Sequence, residues 1–180
     1  MNTESDLILD FVNTRDLRPV SDTFAAPAGL ASWLVERSLL AAGARVTAAD
    51  LVFAKEVREA IRQLLLAHND CAVEEVAPLA VLDAAAKRAR LAVRFREGAA
   101  RVEPTAPGVA GAVGRILGCV ADAMADGTWG RLKACRADDC QCGYLDSAKN
   151  HSRAWCSMSS CGNRAKANAY RERHGSSAAG

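Results

Sequence analysis

Apolar positions recur at helical intervals through most of this chain. Leu7, Ile8, Phe11 and Val12 predict a short first helix. The segment Leu9-Asp10-Phe11-Val12-Asn13-Thr14-Arg15 then runs into a loop with Pro19. Pro27 sits where a first helical turn tolerates proline, ahead of Leu30, Trp33, Leu34 and Val35, and Gly43 reads as the stop. Thr47-Ala48-Ala49-Asp50 has the form of a capping box, and Leu51, Ala54, Val57, Ile61, Leu64 and Leu65 line one face as far as about His68. An alanine-rich fourth helix is expected from Val76 to Arg88. The period then changes to two: Leu91, Val93 and Phe95 alternate with Ala92, Arg94 and Arg96, and Glu97-Gly98 supplies the turn of a β-hairpin. A last core helix is expected from Val109 to Ala125, weakened by Gly111, Gly114 and Gly118 and ended by Gly127. The fold class is therefore mainly α: a helical N-terminal domain over residues 1–130 with one β-hairpin, followed by a small cysteine-bearing module.

At 180 residues the chain holds one moderate core and one appendage. The acidic start lacks the basic region of a signal peptide, and no apolar run reads as long enough for a membrane span, so a cytoplasmic protein is expected. Charge is uneven. Residues 1–130 hold 14 Lys and Arg against 17 Asp and Glu, while residues 131–180 hold 9 against 4.

Five of the seven cysteines fall between residues 135 and 161, and Cys135, Cys140, Cys156 and Cys161 have the spacing C-x4-C-x15-C-x4-C. Two paired loops converging on one ion is the pattern of a structural zinc site. Thiolates suit borderline-soft Zn²⁺, and the stretch between the pairs has too few large apolar residues for a core of its own. Cys142 offers a competing sulfur beside Cys140 and a redox-active thiol next to the cluster; Cys140 is the expected ligand. One structural zinc with four protein ligands leaves no open position for catalysis. His151 and His174 are the histidines nearby, and no Ser/His/Asp set or phosphate loop occurs elsewhere, which points away from an enzyme.

The residues around the second pair are more specific than the spacing. Asp146, Asn150, Ser152-Arg153, Trp155-Cys156, Cys161-Gly162-Asn163-Arg164, Lys166 and Tyr170-Arg171 with Arg173 resemble the CGNR zinc-finger family, named for that tetrapeptide. Leu9-Asp10-Phe11-Val12-Asn13-Thr14 resembles the opening of the ABATE domain that precedes the finger in that family. Cys142 departs from the family's usual aromatic. The resemblance implies a bacterial, stress-linked transcriptional regulator, with a DNA-binding finger at 131–175 and a helical domain that senses a small ligand.

The residues themselves support a basic helix from Arg164 to His174, with Asn163 as its cap and Gly162 supplying an unusual backbone. Arg164, Asn168 and Arg171 share one face; Lys166, Tyr170 and Arg173 share the next; Ala165 and Ala169 form a small face suited to packing. Asn163, Arg164, Lys166, Asn168, Tyr170, Arg171 and Arg173, with Lys149 and Arg153 in the preceding loop, are the candidate nucleic-acid contacts. Arg153 and Arg164 have an alternative as partners of the thiolate cluster or of Asp146, and Trp155 reads as shielding the metal. An RNA-binding or protein-interaction adaptor using the same finger is the other functional reading. Asp10, Asn13, Arg15 and Trp33 are candidates for a ligand pocket, with capping or turning the chain the alternative for Asp10 and Asn13. Palindromic DNA would favour a homodimer. Residues 176–180 are expected to be a flexible tail.

Overall fold

In a computed structural model, which describes residues 4–96 and 98–175, the predicted helices are present and three small antiparallel hairpins join them. The tail 176–180 and the turn residue Glu97 lie outside the described residues. Helix α1 (Glu4–Val12) buries Ile8, Phe11 and Val12. The Pro19 loop is itself a hairpin, β1 (Arg15–Leu17) with β2 (Val20–Asp22), paired from Arg15↔Asp22 to Leu17↔Val20. Helix α2 (Pro27–Glu36) has Pro27 in its first turn but ends at Glu36; Gly43 lies further on, at φ +78°, in the loop rather than at the helix terminus.

Helix α3 (Ala48–Ala67) opens on the expected capping box: Asp50 N donates to Thr47 Oγ1 at 3.2 Å, and Thr47 N donates to Asp50 Oδ2 at 3.1 Å. Helix α4 (Val76–Ala89) leads through Arg90, in the left-handed conformation, into β3 (Leu91–Arg96) and β4 (Ala99–Pro104). The alternation in β3 does not mark a core face, since Val93 and Phe95 are exposed.

Helix α5 (Gly108–Ala125) packs against α1, α4 and β4. Its glycines, which weaken it by propensity, allow that packing. A Cβ on Gly114 would lie 2.7 Å from Ala89 Cβ and from Pro104 Cβ, and one on Gly118 would lie 2.5 Å from the Val102 carbonyl oxygen. By length and composition α5 is apolar enough to cross a membrane, contrary to the sequence expectation, but it is largely buried among these elements.

One core runs through α1, α2, α3, α4 and α5, and Phe11, Phe24 and Trp33 form an aromatic triad with centroids 5.6–5.9 Å apart inside it. The third hairpin, β5 (Leu132–Ala134) with β6 (Gly143–Leu145), lies on α3, and Leu132 and Ala134 are fully buried in that same core. The chain then closes through a π-type turn at Met158–Gly162 into α6 (Asn163–Gly175).

Candidate metal centre and basic helix

The β5–β6 hairpin and the turn before α6 bring two cysteine pairs together. Cys135 follows β5, and its N–H donates to the Cys142 carbonyl at 3.0 Å, so the ladder continues into the ligand loop. Cys140 closes that loop with a turn onto the Ala137 carbonyl. Cys156 precedes the π-type turn, and Cys161 lies within it, where Ser157 Oγ accepts from Ser160 N. The four sulfurs of Cys135, Cys140, Cys156 and Cys161 all lie within 4.8 Å of one another, with Cys140–Cys156 at 3.5 Å and Cys156–Cys161 at 3.7 Å. Tetrahedral zinc with Zn–S bonds of about 2.3 Å requires sulfurs about 3.8 Å apart. The donor set fits one structural zinc. Cys142 borders the cluster but is not one of its four grouped sulfurs, and its thiol is turned towards the Gly143 carbonyl at 3.6 Å, which favours Cys140 as the ligand of the two.

Burial raises the Cys140 thiol to about 12 and pushes the Cys156 thiol up as well. Burial acts in the same direction on Cys161, but hydrogen bonds from Cys140, Cys156 and Cys135, with Arg164 nearby, bring it below its ordinary value. A dication is what makes all four thiolates together.

Two arginines serve this cluster. Arg164 Nη2 reaches Cys161 Sγ at 3.4 Å and Asp139 Oδ1 at 3.1 Å, and Nη1 reaches Ser160 Oγ at 3.1 Å. Arg153 donates to the carbonyls of Trp155, at 2.8 Å, and Cys156, while its guanidinium lies 4.8 Å from the Tyr144 ring centre. Trp155 packs against the cysteines, as expected of a shield. Behind them Asp146 is wholly buried. Burial alone would raise its carboxyl, but Lys133 at 2.9 Å and the N–H groups of Ala148 and Arg153, both at 3.0 Å, hold it below the usual carboxylate range.

Two expectations about the start of the helix are corrected. Asn163 does not cap α6: its backbone is already helical, and its side-chain amide donates backwards to the Ser159 carbonyl at 3.2 Å. Gly162 has no left-handed backbone, and the nearest contact of a Cβ there would be the movable end of the half-exposed Met158, its Sδ at 2.7 Å. Past its first turn α6 stands in solvent. Lys166, Asn168, Ala169, Tyr170, Arg171 and Arg173 are exposed, so of the small face only Ala165 is half-buried. Tyr170 stacks on His174, with ring centres 4.3 Å apart. Arg164, Asn168 and Arg171 face a cleft over the segment Arg136–Asp139. Lys149 is exposed in the loop after β6.

Of the four ligand-pocket candidates, Asp10 and Trp33 meet at Arg37, and the other two lie elsewhere. Trp33 is in the core triad with Arg37 over its ring, Asp10 accepts from Arg37 Nη2 at 3.2 Å, and Arg15 pairs with Glu59 at 3.3 Å. Asn13 is engaged with the finger: its Nδ2 donates to the Gly143 carbonyl at 2.9 Å, and its Oδ1 accepts from Gly143 N at 2.7 Å.

Sequence reasoning missed the polar residues that hold the finger to α3. Asn69 Nδ2 donates to the carbonyls of Ala134 at 2.8 Å and Ala154 at 2.9 Å, Arg62 Nη1 to Gln141 O at 2.8 Å, and Arg136 Nε returns to Asn69 O at 2.6 Å. Their signal was Arg58 and Arg62, which interrupt the apolar side of α3 at helical spacing, with Asn69 just past the helix end.

Together these features define a helical protein with a structural zinc finger anchored on its core. The chain belongs to the ABATE family, whose model matches residues 5–127 and is described as "Putative stress-induced transcription regulator"; residues 131–174 match the CGNR zinc finger. Both descriptions are of regulator and finger types rather than of enzymes. A sequence search among curated proteins finds no match.

Proposed function

We propose that the protein is a DNA-binding transcriptional regulator in which zinc fixes the root of α6 and the rest of that helix enters nucleic acid. The observation that carries this reading is the helix itself. Beyond Ala165 it presents Lys166, Asn168, Tyr170, Arg171 and Arg173 to solvent on a stem held at one end. A polar helix that buries no apolar face gains little from its own protein, and its cations and amide suit phosphates and base edges. Arg153 and Arg164 act in this reading as partners of the thiolate site that set the helix's direction.

The test is fluorescence anisotropy of the zinc-loaded chain with duplex DNA over a range of salt concentrations. Binding that falls steeply with salt, and that is lost in Lys166→Ala/Arg171→Ala/Arg173→Ala with zinc content unchanged, supports the reading. Binding confined to single-stranded RNA moves the finger to the adaptor reading, and no binding to either nucleic acid removes nucleic acid from the account. The helical part is the regulatory half in this reading. A cavity of about 600 Å³ bordered by Leu39, Leu40, Pro107 and Arg115 is the place in it to test for a small ligand.

A further inference from the structure

The cleft beside α6 contains a guanidinium that the finger does not supply. It has a volume of about 530 Å³ and is lined by Arg18, Arg136, Arg164 and Arg171 against the carboxylates of Asp138 and Asp139. Arg18 comes from the turn between β1 and β2, more than a hundred residues before the cysteines, yet its Nη1 is paired with Asp139 Oδ2. Arg164 takes the other oxygen of the same carboxylate at 3.1 Å. One anionic group thus sits between two guanidiniums from distant parts of the chain, the arrangement in which arginine binds carboxylate or phosphate oxygens.

These arginines are not equivalent. With zinc bound, the thiolate cluster carries a formal charge of −2, and Arg164 is committed to it through Cys161 at 3.4 Å. Arg136 is held at Nε by the Asn69 carbonyl, and its Nη2 meets Asp70, whose side chain is 92% exposed. Arg171 is met by neutral oxygens, the Ala167 carbonyl at 3.4 Å and Asn168 Oδ1 at 2.6 Å. Arg18 is 59% exposed and Asp139 48%, so solvent screens their pair and an incoming anion reaches it without unpacking the core.

Resting on the reading of α6 as a nucleic-acid helix, we propose that this cleft is a phosphate seat built jointly by the helical part and the finger. Arg18, Arg136 and Arg171 take a backbone phosphate, and in the free protein Asp139 is the anion paired with Arg18. The footprint on nucleic acid then extends from the finger onto the β1–β2 hairpin, and docking exchanges one anion for another at Arg18.

The experiment compares zinc-loaded full-length wild type with Arg18→Ala, Arg18→Lys and Asp139→Asn for binding to labelled duplex across salt, with zinc content and unfolding temperature measured on each. Arg18→Ala is expected to weaken binding and to lower the slope of log affinity against log salt by about one, the loss of one phosphate contact. Arg18→Lys restores most of the slope, since a point charge still meets phosphate, and Asp139→Asn binds more tightly than wild type. If wild type binds with steep salt dependence and Arg18→Ala superimposes on it, the seat is refuted while the reading of α6 stands. If wild type binds no duplex, both fall. Inorganic pyrophosphate that binds wild type but not Arg18→Ala, with no duplex binding, would instead make the cleft a site for a free phosphorylated compound and overturn the nucleic-acid source.

Discussion

Two carboxylates, Asp22 and Glu59, answer the buried guanidinium of Arg58. Arg58 is 2% exposed; its two terminal nitrogens reach Asp22 Oδ1 at 2.7 Å and Oδ2 at 3.0 Å and Thr14 Oγ1 at 3.1 Å, and its Nε donates to Glu59 Oε1 at 2.9 Å. Burial raises the Asp22 carboxyl, but Arg58, the Phe24 N–H and Lys55 outweigh it and bring it from 3.8 to about 2. A carboxyl depressed on folding contributes stability above its unfolded value, and that contribution is lost as pH falls through its folded value. Wild type should therefore exceed Asp22→Asn by about 2 kcal/mol near neutral pH, with the gap closing between about pH 4 and pH 2. Chemical denaturation of both proteins at several pH values measures the gap, and a gap independent of pH would show that Asp22 does not act through its charge. At the metal, Cys142→Ser should keep one zinc per chain while Cys140→Ser loses it, read by thiol-free metal analysis. Equal retention in both would mean that the two sulfurs substitute for one another.

The elements divide by how local their causes are. The α3 capping box, Pro27 in the first turn of α2 and the hairpin turn at Gly98 depend on neighbours within four residues, and all were legible in the sequence. The hairpins β1–β2 and β5–β6 were not, because strands of three residues carry too short an alternation to register and their positions are set by α1 and α3. The cysteine spacing disclosed the metal site, since four thiols in two pairs need no tertiary context to suggest zinc. The joint between Asn13 and Gly143 spans 130 residues and left no periodic trace. The glycines of α5 show how local reasoning can invert a sign. Propensity says that Gly118→Ala stabilises an exposed helix by about 1 kcal/mol. Here the added Cβ would lie 2.5 Å from the backbone oxygen of Val102, which cannot rotate away. We expect Gly118→Ala to destabilise by about 1–3 kcal/mol, the range for an overpacked contact, and to shift β4 away from α5. A stabilised variant in thermal unfolding would show that this packing yields easily.

On the scale of the whole molecule, the finger is not a bead on a string. Its first strand contributes Leu132 and Ala134 to the main core, and α3 with the turn that follows it holds the finger through Arg62, His68 and Asn69, whose partners include the carbonyls of Gln141, Leu132, Ala134 and Ala154. Asn69 is 2% exposed, so if the finger opens, its amide loses buried carbonyl partners that water replaces only by entering the core. Zinc holds the far side of the same hairpin. Metal binding and folding of the helical part are then one linked equilibrium, because a site that exists only in the folded chain adds its binding free energy to folding. Removing zinc with a strong chelator should lower the unfolding temperature of the entire chain in a single transition. It should also strip hydrogen-exchange protection from the C-terminal half of α3 before its N-terminal half. Asn69→Ala should cost about 2–3 kcal/mol, since it leaves the carbonyls of Ala134 and Ala154 without that donor, and should weaken zinc retention although Asn69 is not one of the four grouped ligands. Two separate transitions, with α3 protection unchanged by the chelator, would show that the helical part folds without reference to the metal. Any signal passing from that part to α6 would then have to travel by a route other than this joint.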